Sequence, residues 1–186
     1  MDNQQVTMML QALRGGEPDA PARLIDAVYD ELRVMADVKM RAERAGHTLQ
    51  PTALVNEAFL RLVGNQDQLE DRAHFFGAAA KAMERVLVDH ARKKQSLKRG
   101  GDAVRVTLRE VHGQSTDSNL GVLEIHEAVE ALERENPELA SLVRYRYFVG
   151  LTLDRIAEIE NVSLATVKRR WTFAKAWLYD HIAESS

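Results

Sequence analysis

Helical spacing of the apolar residues, almost without strand-like alternation, is the feature that most limits what this 186-residue chain can fold into. Apolar side chains recur at steps of three and four residues, for example at Leu24, Val28, Leu32 and Met35. In the first half, this spacing predicts a short helix that ends at Gly15 and further helices over about 19–44, 51–63 and 73–98. In the second half, it predicts helices over about 122–135, 137–149, 152–160 and 164–182. The expected fold class is therefore all-α.

Residues 99–121 interrupt the helical pattern with several glycines and a polar run from Gln114 to Asn119. This composition is typical of a flexible linker, within which 104–108 is the one stretch of extended character. The sequence thus predicts two small helical domains, over 1–98 and 122–186, joined by a linker over 99–121.

Several classes of protein are excluded by what the chain lacks. It has no cysteine, which excludes disulfide scaffolds, thiol catalysis and cysteine-based zinc sites. Its six histidines show no metal-binding spacing, and no glycine-rich phosphate loop is present, so we expect no catalytic residues, no cofactor and no metal. No apolar run approaches the roughly 20 residues that span a bilayer, and the start lacks the features of a signal peptide. We therefore expect a cytoplasmic protein that is not an enzyme and has no membrane partner.

The formal net charge of −3 conceals a separation of charge along the chain. Residues 92–109 hold seven basic residues against one acid, and 163–179 hold four basic residues and no acid. Between them, 110–142 holds eight acidic residues against one arginine. Two separated basic patches are typical of a protein that touches an anionic polymer at two places, although solvated helix faces are an alternative. We also hypothesise that the acidic stretch folds onto a basic face and masks it, through Glu127, Glu130 and Glu133.

Residues 152–177 have the features of a helix-turn-helix. Thr152 is placed to cap a short helix, Asn161 stands where a left-handed turn residue is needed, and Ser163 is placed to cap the second helix. Small Ala157 allows the two helices to approach closely. An ordinary helical hairpin with a basic solvent face is the alternative, but the combination favours DNA binding.

In such a motif the second helix enters the major groove, with its N-terminal residues nearest the base edges. The residues predicted to contact bases are Ala165, Thr166, Arg169 and Arg170. Those predicted to contact phosphates are Lys168 and Lys175.

Three blocks, in order, resemble the bacterial extracytoplasmic-function (ECF) sigma factors. They read LVNEAFLRL over 54–62, FFGAAAKAMERVLVDHARKK over 75–94, and LVRYRYFVGLTLDRIAEIENVSLATVKRRWTFAKAWL over 142–178. The resemblance extends over about 10–182, and the phrase RAGHTLQPTALVNEAFLRL is similar to one subgroup. It implies that the chain binds the clamp helices and flap of core RNA polymerase and directs the enzyme to promoters. The first domain would correspond to region two, which reads the −10 element, and the second to region four, which reads the −35 element.

The resemblance also assigns residues in the first domain. The polymerase-binding residues would be Leu54, Asn56, Glu57, Leu60 and Arg61. The loop from residue 65, with Asn65, Gln66 and Asp67, would capture a flipped base of the −10 element. The helix that follows the promoter strand would carry Lys81, Arg85, Arg92 and Lys93. Phe75 and Phe76 are candidates for base stacking, with a place in the core as the alternative.

One departure from the family pattern lies just before LVNEAFLRL. Typical members carry acidic residues there that meet the polymerase clamp, whereas this chain has Gln50, Pro51, Thr52 and Ala53, although Glu57 is retained. Phosphorylation of Thr52 by a Ser/Thr kinase would restore negative charge in the first turn of the helix, where the helix dipole favours it. Thr48 is the alternative acceptor, and a merely tolerated first-turn residue is the alternative reading of Thr52.

Two other functions remain open at this point. A polymerase-independent helix-turn-helix regulator would bind duplex DNA alone, but the basic helix after residue 80 and the block over 54–62 argue against it. A module that only binds a sigma factor is disfavoured because both DNA-facing patches are basic.

Overall fold

The computed structural model describes residues 3–41, 50–63, 69–97 and 121–185. These residues form eight α-helices and one π-helical turn, which confirms the all-α prediction. The helices are α1 (Asn3–Arg14), α2 (Ala20–Arg41), α3 (Pro51–Val63), α4 (Arg72–Leu97), α5 (Val122–Glu135), α6 (Pro137–Val143), α7 (Leu153–Glu160) and α8 (Leu164–Ser185), and the π-helical turn is Arg144–Phe148. Within this part of the chain, no helix is both long enough and apolar enough to cross a membrane.

Most helix ends fall where local signals predict them. The first helix ends before Gly16, whose φ of +73° suits glycine. The third helix begins at Pro51, the favoured first position. The predicted linker over 99–121 lies outside the described residues apart from Gly121, and so do Thr48 and the loop residues Asn65, Gln66 and Asp67.

The helix predicted over 137–149 is in fact two elements. Asn136 caps α6 by accepting a hydrogen bond from the Leu139 N–H at 3.0 Å, but the α-helix ends at Val143. A π-helical turn follows and ends at Phe148, and Gly150, two residues later, has a φ of +78°. A π-turn adds one residue to a helical turn, and a three- or four-residue apolar pattern does not distinguish it from α-helix.

Helix α4 occupies the centre of the molecule. On one side α3 packs between α4 and α2, and α1 packs against α2 and α4. On the other side α4 contacts α5, the π-turn and α7, while α8 packs across α5, α6 and α7. The apolar core runs through both halves without a break. The division into two domains stays a prediction, but the described helices of the two halves pack against each other through α4.

Candidate nucleic-acid interface

The helix-turn-helix forms as its local signals predict. Thr152 Oγ1 accepts a hydrogen bond from the Arg155 N–H at 3.2 Å, and Ser163 Oγ accepts one from the Thr166 N–H at 3.1 Å. Between the helices, Asn161 adopts the left-handed conformation with φ 52° and ψ 44°. The two caps and this turn fix the angle at which α8 leaves α7.

Helix α8 has one buried face and one exposed basic face. Val167, Ala174 and Leu178 are buried in the core, as predicted, and Trp171 is half-buried. Of the predicted DNA-contacting residues, those exposed are Ala165, Lys168 and Arg169, and those half-buried are Thr166, Arg170 and Lys175. The exposed three lie in the first two turns of the helix, which is where a groove-entering helix meets the bases.

Arg170 is held within the second half in this arrangement. Its guanidinium lies 2.7 Å from a Glu138 carboxylate oxygen and 3.3 Å from one of Glu160. Burial raises the pKa of the Glu160 carboxyl, and Glu138 raises it further, while Arg170 opposes both. To contact DNA, Arg170 would therefore have to break its ion pairs with both carboxylates.

Phe173 is an exposed aromatic residue that the sequence reasoning did not assign. Its side chain is 59% exposed, although phenylalanine usually packs in a core. It lies four residues after Arg169 and next to exposed Thr172, so it shares the basic face of α8. The signal that could have found it was this spacing, because positions 165, 169 and 173 follow one another at helical steps of four.

The predicted polymerase-binding residues of α3 fall on two sides of the helix. Asn56, Glu57, Leu60 and Arg61 are exposed, and Leu60 is the most exposed large apolar side chain of the described residues, at 73%. Leu54 has no exposed surface and belongs to the core. Its assignment to the polymerase surface is therefore corrected, because a buried side chain positions α3 instead of contacting a partner.

Phe75 and Phe76, at the start of α4, are core residues. Neither has exposed surface, and their rings meet edge to face with centroids 5.3 Å apart. The core interpretation of this pair is confirmed. Because both rings are buried, neither can stack on a DNA base.

The structure brings several predicted cations to one open cleft of about 700 Å³. The predicted cations that line it are Arg61, Lys81, Arg85 and Arg170, and they come from both halves of the chain; Arg144 also lines it. Arg92 and Lys93 lie further along α4 and are exposed. Arg61 pairs with Asp89 at 2.9 Å, and Lys81 pairs with Glu133 across the cleft.

A buried charge cluster borders this cleft, which Arg144 and Glu133 of the cluster help to line. Glu84 of α4 is 1% exposed, and Arg144 of the π-turn is 2% exposed. The Arg144 Nε donates to Glu84 at 2.6 Å, and its Nη2 donates to Glu130 at 3.1 Å and to Glu133 at 3.0 Å. The second Glu84 oxygen lies 2.9 Å from His126 Nδ1.

The opposite charges within this cluster compensate one another. Burial alone would lower the pKa of Arg144, but Glu84 and Glu133 outweigh it, so the pKa is raised and the guanidinium stays charged. Burial would likewise raise the pKa of Glu133, but Lys81 and Arg144 together lower it. Glu84, His126 and Glu130 bring potential ligand atoms within 4.8 Å of one another, yet Arg144 already supplies the positive charge that a metal ion would bring.

Comparisons with known proteins agree with this geometry. A search of curated proteins found no match. A family model described as ECF sigma factor matches residues 3–184, which is nearly the whole chain. The chain therefore belongs to the ECF sigma factor family, whose members bind core RNA polymerase and promoter DNA in transcription initiation.

Proposed function

We propose that this sigma factor docks on core RNA polymerase through the outer face of α3 and reads the −35 element through the exposed face of α8. The observation that carries the proposal is the exposed basic face of α8, held in place by the two caps and by Asn161. Lys168 and Arg169 are exposed on this face, and neither pairs with a carboxylate of the described residues, so they are available to an anionic polymer.

The proposed polymerase surface is an exposed stripe along α3. Thr52, Asn56 and Leu60 are spaced by four residues and all are exposed, so they line one side of the helix. A central apolar residue with a polar rim is the usual composition of a protein interface. Leu60 provides the apolar residue here, and Asn56 and Glu57 provide the rim.

The experiment that tests this function is transcription from a cognate promoter with purified core polymerase. We expect transcription only when both the chain and core polymerase are present. Binding of promoter duplex by the chain alone should be weak. Tight, specific duplex binding without polymerase would instead favour the polymerase-independent regulator.

We further propose that phosphorylation of Thr52 by a Ser/Thr kinase strengthens polymerase binding. Thr52 is exposed and is the second residue of α3, where negative charge is favoured. It also lies at one end of the proposed polymerase stripe, so a phosphate there would supply the negative charge that Gln50, Pro51 and Ala53 do not carry.

Thr52→Glu is expected to bind core polymerase about tenfold more tightly than Thr52→Ala, since one or two charge-assisted hydrogen bonds are gained. The measurement is an equilibrium titration of labelled protein with core enzyme. Gln11→Glu is the control, because it adds the same charge at an exposed position of α1. Equal affinities for the two Thr52 variants would refute the switch and leave the sigma function intact.

Alanine substitutions at Arg169 and at Lys168 are expected to weaken DNA binding in different ways. Loss of Arg169 should weaken discrimination of the −35 sequence by about 1–3 kcal/mol, because arginine reads a base edge through two hydrogen bonds. Loss of Lys168 should weaken binding to all sequences alike and reduce the salt dependence by the equivalent of about one phosphate contact. Titrations of cognate and scrambled promoters at several salt concentrations measure both effects. Identical behaviour of the two variants would count against these roles.

A further inference from the structure

The face of α4 around Lys81 is covered by the second half of the chain. Lys81 Nζ lies 2.8 Å and 3.0 Å from the two carboxylate oxygens of Glu133 on α5. Both side chains are about two-thirds buried, so water screens this pair less than a surface pair. A DNA phosphate that bound Lys81 would have to displace Glu133 from the same ammonium group.

The same carboxylate connects Lys81 to the buried cluster. Glu133 also accepts a hydrogen bond from Arg144, and Arg144 is bound to Glu84 of α4. Two cation–carboxylate contacts therefore join the two halves, and α4 supplies the cation in one and the acid in the other. One runs from a cation of α4 to an acid of α5, and the other runs from an acid of α4 to a cation of the π-turn.

A buried tyrosine and a further ion pair also connect the two halves. Tyr145 of the π-turn is almost fully buried against the start of α4, where its hydroxyl donates to the Ala73 carbonyl at 3.4 Å. Gly77 of α4 faces this hydroxyl so closely that an added Cβ would lie 3.4 Å from it. Arg155 of α7 pairs with Glu31 of α2, which adds a further contact between the halves.

This packed arrangement is too small to reach both promoter elements. The element names −35 and −10 place them about 25 base pairs apart, which is about 85 Å of duplex at roughly 3.4 Å per base pair. A compact chain of 186 residues has a radius of gyration of about 16 Å, so it is only about 40 Å across. The halves must separate before α4 and α8 can bind the two elements of one promoter.

We infer that the α4 face around Lys81 is a shared surface, occupied by Glu133 in the free protein and by promoter phosphates in the initiation complex. This inference rests on the proposed function and on the promoter contact that the family resemblance implies for Lys81. Closing the two halves excludes DNA from this face, and binding of polymerase and promoter selects the separated state. The acid that masks the cation is thus Glu133, one of the three acidic residues hypothesised to do so. Of the other two, Glu130 binds Arg144 instead, and Glu127 is exposed on α5.

The test compares Glu133→Gln with Glu127→Gln, which removes the same charge from an exposed position of the same helix. Because the chain has no cysteine, Val34→Cys and Ala176→Cys, both at exposed positions, allow a pair of spin labels to report the distance between the halves. Binding of a single-stranded −10 oligonucleotide to the free protein is measured in parallel. Helical circular dichroism verifies that each variant is folded.

We expect Glu133→Gln to lengthen the label distance and to tighten oligonucleotide binding roughly three- to fivefold beyond the effect of Glu127→Gln. Adding Lys81→Gln to Glu133→Gln should abolish that tightening, because α4 then lacks the ammonium that a promoter phosphate would contact. Equal distances in the Glu133 and Glu127 variants would overturn the inference. A longer distance without tighter DNA binding would overturn it as well. Promoter-dependent transcription by the wild type is assayed separately, so failure of the sigma function is distinguishable from failure of the masking.

Discussion

Replacing Arg144 by methionine is expected to lower the free energy of unfolding by about 3–5 kcal/mol, since it removes one partner from a buried ion pair. The Glu84 carboxylate would remain almost fully buried without its guanidinium. Water can reach Glu84 only if α4 separates from the π-turn, which exposes the apolar surface around Tyr145. Either response makes the packed structure less stable, and urea denaturation followed by circular dichroism measures the loss.

The control for this prediction is Arg134→Met, which removes a positive charge from an exposed position of α5. We expect that variant to stay within about 0.5 kcal/mol of the wild type. The double variant Glu84→Gln with Arg144→Met should recover part of the loss, because no unpaired charge then remains in the core. A loss as small as that of Arg134→Met would show that the buried cluster does not hold the halves together.

Replacing Leu60 by aspartate is expected to weaken binding to core polymerase at least tenfold, while the stability of the free protein stays unchanged. The side chain is 73% exposed, so the free protein gains almost nothing from its burial. Truncation of a hot-spot residue at the centre of an interface costs about 2 kcal/mol or more, and a buried charge adds a desolvation penalty.

The matched control is Met8→Asp on α1, where the apolar side chain is 61% exposed but lies outside the proposed polymerase surface. Both variants are titrated with core polymerase, and both are melted thermally. Equal affinity of the two variants would remove Leu60 from the docking surface. A lowered melting temperature of Leu60→Asp alone would show that the residue is structural.

The helix-turn-helix could be predicted from sequence because its signals are local. Thr152 and Ser163 each bond a backbone N–H three residues away, and Asn161 needs only its own left-handed conformation. Interactions within one helical turn depend little on the rest of the fold. For the same reason, the start of α3 at Pro51 follows directly from the sequence.

The interface between the halves could not be predicted in the same way. Arg144 and Glu84 are sixty residues apart, and Lys81 and Glu133 are fifty-two apart, so no local pattern pairs them. The π-turn that directs Arg144 into the core is indistinguishable from α-helix in the apolar spacing. The family resemblance places Leu54 on a binding surface, yet only the exposed positions of α3 within that motif can reach a partner.

The order of the pairing residues along the chain has a consequence for synthesis on the ribosome. Glu84 is made sixty residues before Arg144, which corresponds to about 3–12 s of translation at roughly 5–20 residues per second. During that interval the first half emerges with the inner face of α4 uncovered and its carboxylate in water. For some seconds, the nascent sigma factor therefore exposes a surface that is covered in the free, fully synthesised protein.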